Sequence, residues 1–207
     1  MHIGDYRYSA DLDFTVTGGS AAAATASMVA VLDAARQHAG FPVLELTDGD
    51  SPIAYVGPLE AAKPRRLKLD ISDTEVVEAM EQRTILDGVW PDLPDGAPFG
   101  VYPIDEIAAE KLRCIIQRVQ CRDLYDVFRL VEDMGVSLGE VRPLLEQKAA
   151  AKGLDLGTFA EKFDDRIGRY KERRNREMSD HLAAPPRFDD VARAVRRHLR
   201  AAGLLGS

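Results

Sequence analysis

The sequence predicts an α+β protein, with strands concentrated in its first half and helices in its second. Three observations carry this reading. Apolar and polar residues alternate with a period of two over residues 7–16 and 66–72; apolar residues recur three and four apart from residue 104 onward; and the irregular stretch Trp90-Pro91-Asp92-Leu93-Pro94-Asp95-Gly96 separates the two patterns. Residues 1–100 are therefore expected to form an α/β core, and residues 101–207 a C-terminal helical bundle.

In the first segment Tyr8, Ala10, Leu12, Phe14 and Val16 alternate with Arg7, Ser9, Asp11, Asp13 and Thr15, which is the pattern of a strand with one apolar face. Gly18-Gly19-Ser20 then turns the chain into an alanine-rich helix reaching about His38, with Ser20 as its N-cap and Gly40-Phe41-Pro42 as its stop. Val43 to Leu46 and Ile53 to Val56 flank a turn cluster and predict a hairpin. From Arg66 to Ser72 the residues Leu67, Leu69 and Ile71 share one face of a further strand, and Lys68, Asp70 and Ser72 the other. Glu75 to Leu86 has the composition of a helix. Beyond the irregular stretch, helices are expected at Ile104–Gln120, Arg122–Asp133, Leu138–Ala150, Leu156–Met178 and Asp189–Ala202, with breaks at Gly135, Gly153 and Pro185-Pro186.

A chain of 207 residues with 45% hydrophobic content suffices for one good core or for a core domain with a smaller helical partner. The apolar runs are short and broken by charge, and no signal peptide is read at the start, so a cytoplasmic protein without a membrane span is expected. Cys114 and Cys121 lie seven apart in a helical pattern, roughly 10 Å along the axis, so a disulfide between them is not expected and buried small side chains are. The net charge of −7 is unevenly distributed. Residues 1–165 carry 29 acidic and 16 basic side chains, whereas residues 166–207 carry 5 and 11. An acidic body with a basic tail suits a phosphate-rich partner, and equally a merely solvated helical tail.

The residue types that carry chemistry fall in two clusters. Asp11 and Asp13 sit two apart on a strand and so project from one face; adjacent carboxylates repel unless a cation lies between them, and Mg²⁺ is the usual one. Asp70, on the polar face of another strand, is a third candidate donor. Such a set suits two-metal nucleotidyl transfer, although Asp-x-Asp is short and is also met as a solvated pair. The second cluster lies in the first two expected helices of the second half. Lys111 stands at the edge of an apolar face and offers a compact charge for a triphosphate, or an ordinary surface pair with Glu110. Arg122 and Asp126 are spaced four apart, the geometry of a surface salt bridge, and Asp123 and Asp126 three apart. Tyr125, Phe128 and Leu124 read as packing residues.

Taken together, Arg7-Tyr8-Ser9-Ala10-Asp11-Leu12-Asp13-Phe14, Leu67-Lys68-Leu69-Asp70-Ile71-Ser72, Glu106-Ile107-Ala108-Ala109-Glu110-Lys111-Leu112, then Arg118 and Arg122-Asp123-Leu124-Tyr125-Asp126 resemble the AbiEii/MenT nucleotidyltransferase toxins over residues 7–130. The resemblance implies a polymerase-β-like nucleotidyltransferase domain followed by helices, and a toxin neutralised by a cognate antitoxin in a type IV toxin–antitoxin system. It further implies transfer of a nucleotide from NTP to the tRNA 3′ acceptor end, blocking translation. By position, Asp11 and Asp13 would ligate Mg²⁺, joined by Asp70 as ligand or general base. Lys111 would hold the triphosphate, and the essential aspartate of the second motif would be Asp126 or Asp123. Arg118, Arg122 and Ser9 are the further nucleotide-binding candidates. The family's glycine turn precedes its paired carboxylates, whereas here the ten residues before Asp11 offer only Gly4, and Gly18-Gly19-Ser20 follows the pair.

Two arginine stripes complete the reading. Arg193, Arg196, Arg197 and Arg200 share one face of the last helix, and Arg166, Arg169, Arg173 and Arg176 align similarly on the one before it. They suit the phosphates of an acceptor stem. Two alternatives keep the fold but change the function: transfer to a small molecule or a protein, and a degenerate nucleotidyltransferase-fold binding module.

Overall fold

The computed structural model describes residues 11–37, 43–47, 53–56, 65–84, 98–178, 182 and 184–206. The chain divides into two compact units, one of residues 8–75 and one that runs from Val76 to the C-terminus.

The first unit is a mixed four-stranded sheet. It runs β1 (Asp11–Thr15), α1 (Ala21–Gln37), β2 (Val43–Thr47), β3 (Ile53–Val56) and β4 (Arg65–Ser72), with sheet order β1-β4-β3-β2. β2 and β3 form the expected antiparallel hairpin, β3 continues antiparallel to β4, and β1 lies parallel to β4. A parallel neighbour requires a crossover, and α1 with the hairpin supplies it. Gly19, at φ +120°, makes the turn that a side-chain-bearing residue rarely adopts. The Ser20 hydroxyl then accepts from the Ala23 N–H at 3.2 Å, as an N-cap does, and the Asp73 carboxylate accepts from the Ala21 N–H at 2.8 Å. Leu69 of β4 is buried, while Leu12 and Phe14 of β1 are 45% and 40% exposed.

The second unit opens with a two-stranded ribbon of β5 (Glu81–Arg83) and β6 (Phe99–Val101), paired antiparallel. The helical option read over Glu75–Leu86 is thus corrected over the described residues 75–84, which are irregular except for β5; that strand gains its hydrogen bonds from β6 rather than within a helix. The linker read at 90–96 lies outside the described residues. Five helices follow: α2 (Ile104–Gln117), α3 (Cys121–Glu132), α4 (Leu138–Ala151), α5 (Phe159–Met178) after a short 3₁₀ turn at Leu156–Thr158, and α6 (Phe188–Ala201).

Their spacing explains their packing. Ala108, Leu112, Ile115 and Ile116 on α2, Leu124, Val127 and Val131 on α3, Val141 and Leu145 on α4, Phe159 and Phe163 on α5, and Val191, Val195 and Leu199 on α6 recur three or four apart and enter one core. Gly135, at φ +70°, reverses the chain after α3. Cys114 and Cys121 are both buried free thiols, as expected. A buried ion pair adds specificity: Lys148 of α4 meets Glu106 of α2 at 2.6 Å, while Lys148 donates to the Val76 carbonyl and Glu106 accepts from the Glu78 N–H. The start of the unit is thereby fastened to two helices at once. No helix among the described residues is long and apolar enough to cross a membrane.

Candidate active site

In the first unit the strand period and the parallel register bring four charged side chains to one face. Asp11 and Asp13 share that face of β1; Lys68 is the register partner of Asp11 on β4, and Asp70 that of Asp13. The Lys68 ammonium lies 2.6 Å from Asp70 Oδ1 and 2.7 Å from Oδ2. Asp13 is exposed, and Asp11 and Asp70 are half-buried. Among the described residues no three His, Cys, Asp or Glu side chains are grouped as a metal site. In kind, however, the carboxylates fit a hard divalent cation, since they supply several oxygens from one water-accessible face. Lys68 already places a positive charge among them. The sequence carried its signal in plain form, two residues before Asp70 on the same strand face. Ser9 lies outside the described residues. Gly18-Gly19-Ser20 is the helix-entry turn expected of it, and the protein's own Asp73 takes the first N–H of α1.

In the second unit α2 and α3 assemble a charged centre around Lys111. Its ammonium sits 2.8 Å from Asp126 Oδ2 and 3.5 Å from Asp123 Oδ1. Both carboxylates are 0% exposed, whereas the Lys111 side chain is 20% exposed. Asp123 and Asp126 are one helical turn apart on α3 and face the same neighbour. Arg118, in the α2–α3 turn, grips Asp123 through Nε at 2.8 Å and Nη2 at 3.0 Å, a bidentate bond that raises the guanidinium above its already high range despite partial burial.

Two sequence expectations are corrected here. The Lys111–Glu110 surface pair gives way to Lys111 with the two aspartates, while Glu110 is bonded by Arg113. The surface bridge of Arg122 with Asp126 gives way to a fully buried Asp126, while Arg122 Nε donates to Gln120 at 2.9 Å. Tyr125 is buried with its ring 6.1 Å from that of Phe128, the packing role expected.

Tyr170 of α5 had no place in the sequence reading, yet it supports this centre. Its hydroxyl lies 3.1 Å from the Ile115 carbonyl and 3.0 Å from that of Arg118, and Arg166 also donates to Ile115. These carbonyls end α2 without intrahelical partners, so α5 fixes the turn from which Arg118 projects. Burial, and next the Asp123 charge, push the Tyr170 hydroxyl well up, and it stays a donor at physiological pH. Burial and Asp123 likewise push the Cys114 thiol up to about 12. A thiol so protonated is packing, not a nucleophile.

The arginine stripes separate on inspection. On α6, Arg196 pairs with Asp164 at 2.7 Å, Arg197 with Glu132 at 2.5 Å and Arg193 with Asp190 at 3.3 Å. On α5, Arg166 is spent on α2 and Arg169 on Asp165. Arg173 and Arg176, by contrast, join Arg118 and Arg122 along an open groove of about 530 Å³, together with Gln120 and Glu177.

The family follows from the whole chain rather than from any one cluster. The model of the family described as nucleotidyl transferase AbiEii toxin of type IV toxin–antitoxin systems matches residues 1–194. The chain belongs to the AbiEii family. Two Helicobacter pylori structures share the fold of this AbiEii-family chain. JHP933 has a TM-score of 0.54 at 16% identity, over 96% of this chain and 77% of that one. A candidate nucleotidyltransferase has a TM-score of 0.55 at 15% identity, over 96% and 80%. None of the curated proteins matches significantly.

Proposed function

We propose that this AbiEii-family toxin transfers a nucleoside monophosphate from NTP to the tRNA 3′ acceptor end, blocks translation by doing so, and is neutralised by a cognate antitoxin. The observation that carries the proposal is Lys111 held between the fully buried Asp123 and Asp126. Two buried carboxylates at one lysine are costly to keep as scaffolding, because a well-packed apolar set serves stability at least as well. They do, however, fix the ammonium of a partly exposed side chain in one place, where it binds an incoming phosphate without reorganising. Of the two, Asp126 makes the closer contact and is the stronger choice for the family's essential aspartate. Arg118 and Arg122 are the further phosphate contacts, to the nucleotide or to its acceptor.

The carboxylates of the first unit fit the second requirement of the reaction. Asp11 and Asp13 would hold Mg²⁺, with Asp70 as third donor or as the base that takes the proton of the acceptor hydroxyl. Bound there, Mg²⁺ would supply charge neutralisation to phosphate oxygens. Lys68, bonded to both Asp70 oxygens, orients that carboxylate.

The test is labelling of total RNA with each of the four NTPs in the presence of Mg²⁺, followed by sequencing of RNA 3′ ends. Added nucleotides on tRNA are expected, and failure of label to enter RNA with any NTP would sink the acceptor assignment. Asp11→Ala is expected to abolish both labelling and growth inhibition. Growth inhibition retained by that variant would point instead to a binding module.

A further inference from the structure

The groove between the α2–α3 turn and the end of α5 is a second binding feature, distinct from the Lys111 centre but joined to it. Arg118 belongs to both: one edge of its guanidinium holds the buried Asp123, and its side chain lines the groove. Arg122, Arg173 and Arg176 extend the lining outward, and Glu177 is the one carboxylate among the described lining residues. Four guanidinium groups against one carboxylate make a concave surface with a net positive field, where a polyanion gains most.

The positions of these arginines are set by the protein itself. Arg173 donates to the Val119 carbonyl at 3.0 Å and lies 3.8 Å from Glu177, and Arg122 is held by Gln120. Glu177 in turn accepts from the Cys121 N–H at 2.8 Å, so it is bonded to the start of α3 as well as near Arg173 and Arg176. Arg176 is 77% exposed and reaches furthest into solvent.

Two features decide which phosphate compound suits this groove. Arg173 and Arg176, one turn apart on α5, stand 3.8 and 3.9 Å from the same Glu177 oxygen, while Arg118 and Arg122 line the groove from the α2–α3 turn, so the charges come in two pairs from two elements rather than from one point. A triphosphate asks for convergence, while successive phosphodiesters ask for a row. Among the described lining residues there is also no aromatic side chain on which a base would stack, which favours contact with a backbone over reading of bases.

We infer that the Arg118–Arg122–Arg173–Arg176 groove binds the phosphodiester backbone of the RNA acceptor and leads it toward the Lys111 centre, and that the α6 arginine stripe takes no part. This rests on the reading of the chain as an RNA-directed transferase. It adds that RNA affinity resides in one groove, and that this affinity does not depend on base sequence.

The test uses the full chain, a fluorescently labelled RNA hairpin with a single-stranded 3′ end, and separately a fluorescent NTP. Arg176→Gln is expected to weaken RNA binding several-fold and to lower the slope of log affinity against log salt by about one. Arg176→Glu should weaken it further, with NTP affinity unchanged in both. Because Arg176 is exposed, its variants should keep the wild-type melting curve; Arg173→Gln, which also loses its bond to Val119, is read only beside that control. Arg193→Gln on α6 should bind RNA as the wild type does. The inference is overturned if the Arg176 variants bind RNA normally, if Arg193→Gln weakens binding as much as Arg176→Gln, or if NTP affinity falls with RNA affinity, which would make the groove a triphosphate site. A wild-type chain that labels RNA while its Arg176 variants bind normally removes this inference alone. A wild-type chain that binds NTP but no RNA removes the acceptor assignment as well.

Discussion

Lys111 and its two aspartates owe their energetics to an asymmetry of exposure. The Lys111 side chain is 20% exposed while both aspartates are 0% exposed, so removing the lysine takes a positive charge away from two buried carboxylates. Lys111→Met is therefore expected to destabilise the fold toward the lower end of the about 3–5 kcal/mol typical of breaking a buried pair, because Arg118 still holds Asp123. Urea unfolding checks this, and an unchanged midpoint would contradict it. Glu110 gives a pH-dependent counterpart. Burial pushes its carboxyl up, but the Arg113 bond together with the charges of Arg113, Lys148 and Lys111 outweighs burial and leaves its pKa below the ordinary 4.5. A carboxyl depressed in the folded state contributes stability that is fully present above its unfolded pKa and is lost as pH falls through its folded one. The stability difference between wild type and Glu110→Gln should thus be seen at neutral pH and shrink below pH 4.5. A difference that persists well below that range would argue against an ionic contribution.

At the scale of elements, the sequence was most informative where one periodicity ran long enough to repeat. α1, the five described helices of the second unit and the hairpin were legible because apolar spacing and turn residues agreed, joined by a cap at Ser20 ahead of α1. β5 was not: three residues carry too little alternation to outweigh a helix-like composition, and β6 supplies its partner from a distance. The candidate site divides in the same way. Asp11, Asp13 and Asp70 could be placed on strand faces from the period alone, but the register that sets Asp70 opposite Asp13 depends on pairing between distant segments. The partners of Lys111 were hidden for the same reason, as no spacing rule links α2 to α3. Tyr170 is the extreme case, a residue whose role exists only once α5 has docked against the end of α2. Tyr170→Phe should cost about 1–3 kcal/mol by leaving buried carbonyls short of a donor, measurable by thermal unfolding. A larger fall in transfer rate than in stability would show that the α2–α3 turn positions Arg118. An unchanged melting temperature would mean that Arg166 alone suffices for the Ile115 carbonyl.

For the whole molecule, the second unit holds a core of its own. The described core cluster is drawn from residues 108–205, on the helices of the second unit and the segments that join them. A chain of residues 76–207 is therefore expected to unfold cooperatively by itself, since its helices retain one another's apolar faces. Circular dichroism of that fragment tests the idea, and a broad, non-cooperative melt would refute it. The charge asymmetry read from the sequence also changes meaning at this scale. Much of the basic tail is matched by the body's own acids, as in Arg196 with Asp164 and Arg197 with Glu132, so net charge by segment overstated what remains for a partner. The clasp of Glu106 and Lys148 on Val76 and Glu78 bears on the chain as a mechanical object. Tension drawn along the backbone from residues 8–75 would arrive first at that buried clasp. Force would be spread into α2 and α4 together before it could peel the helices one by one.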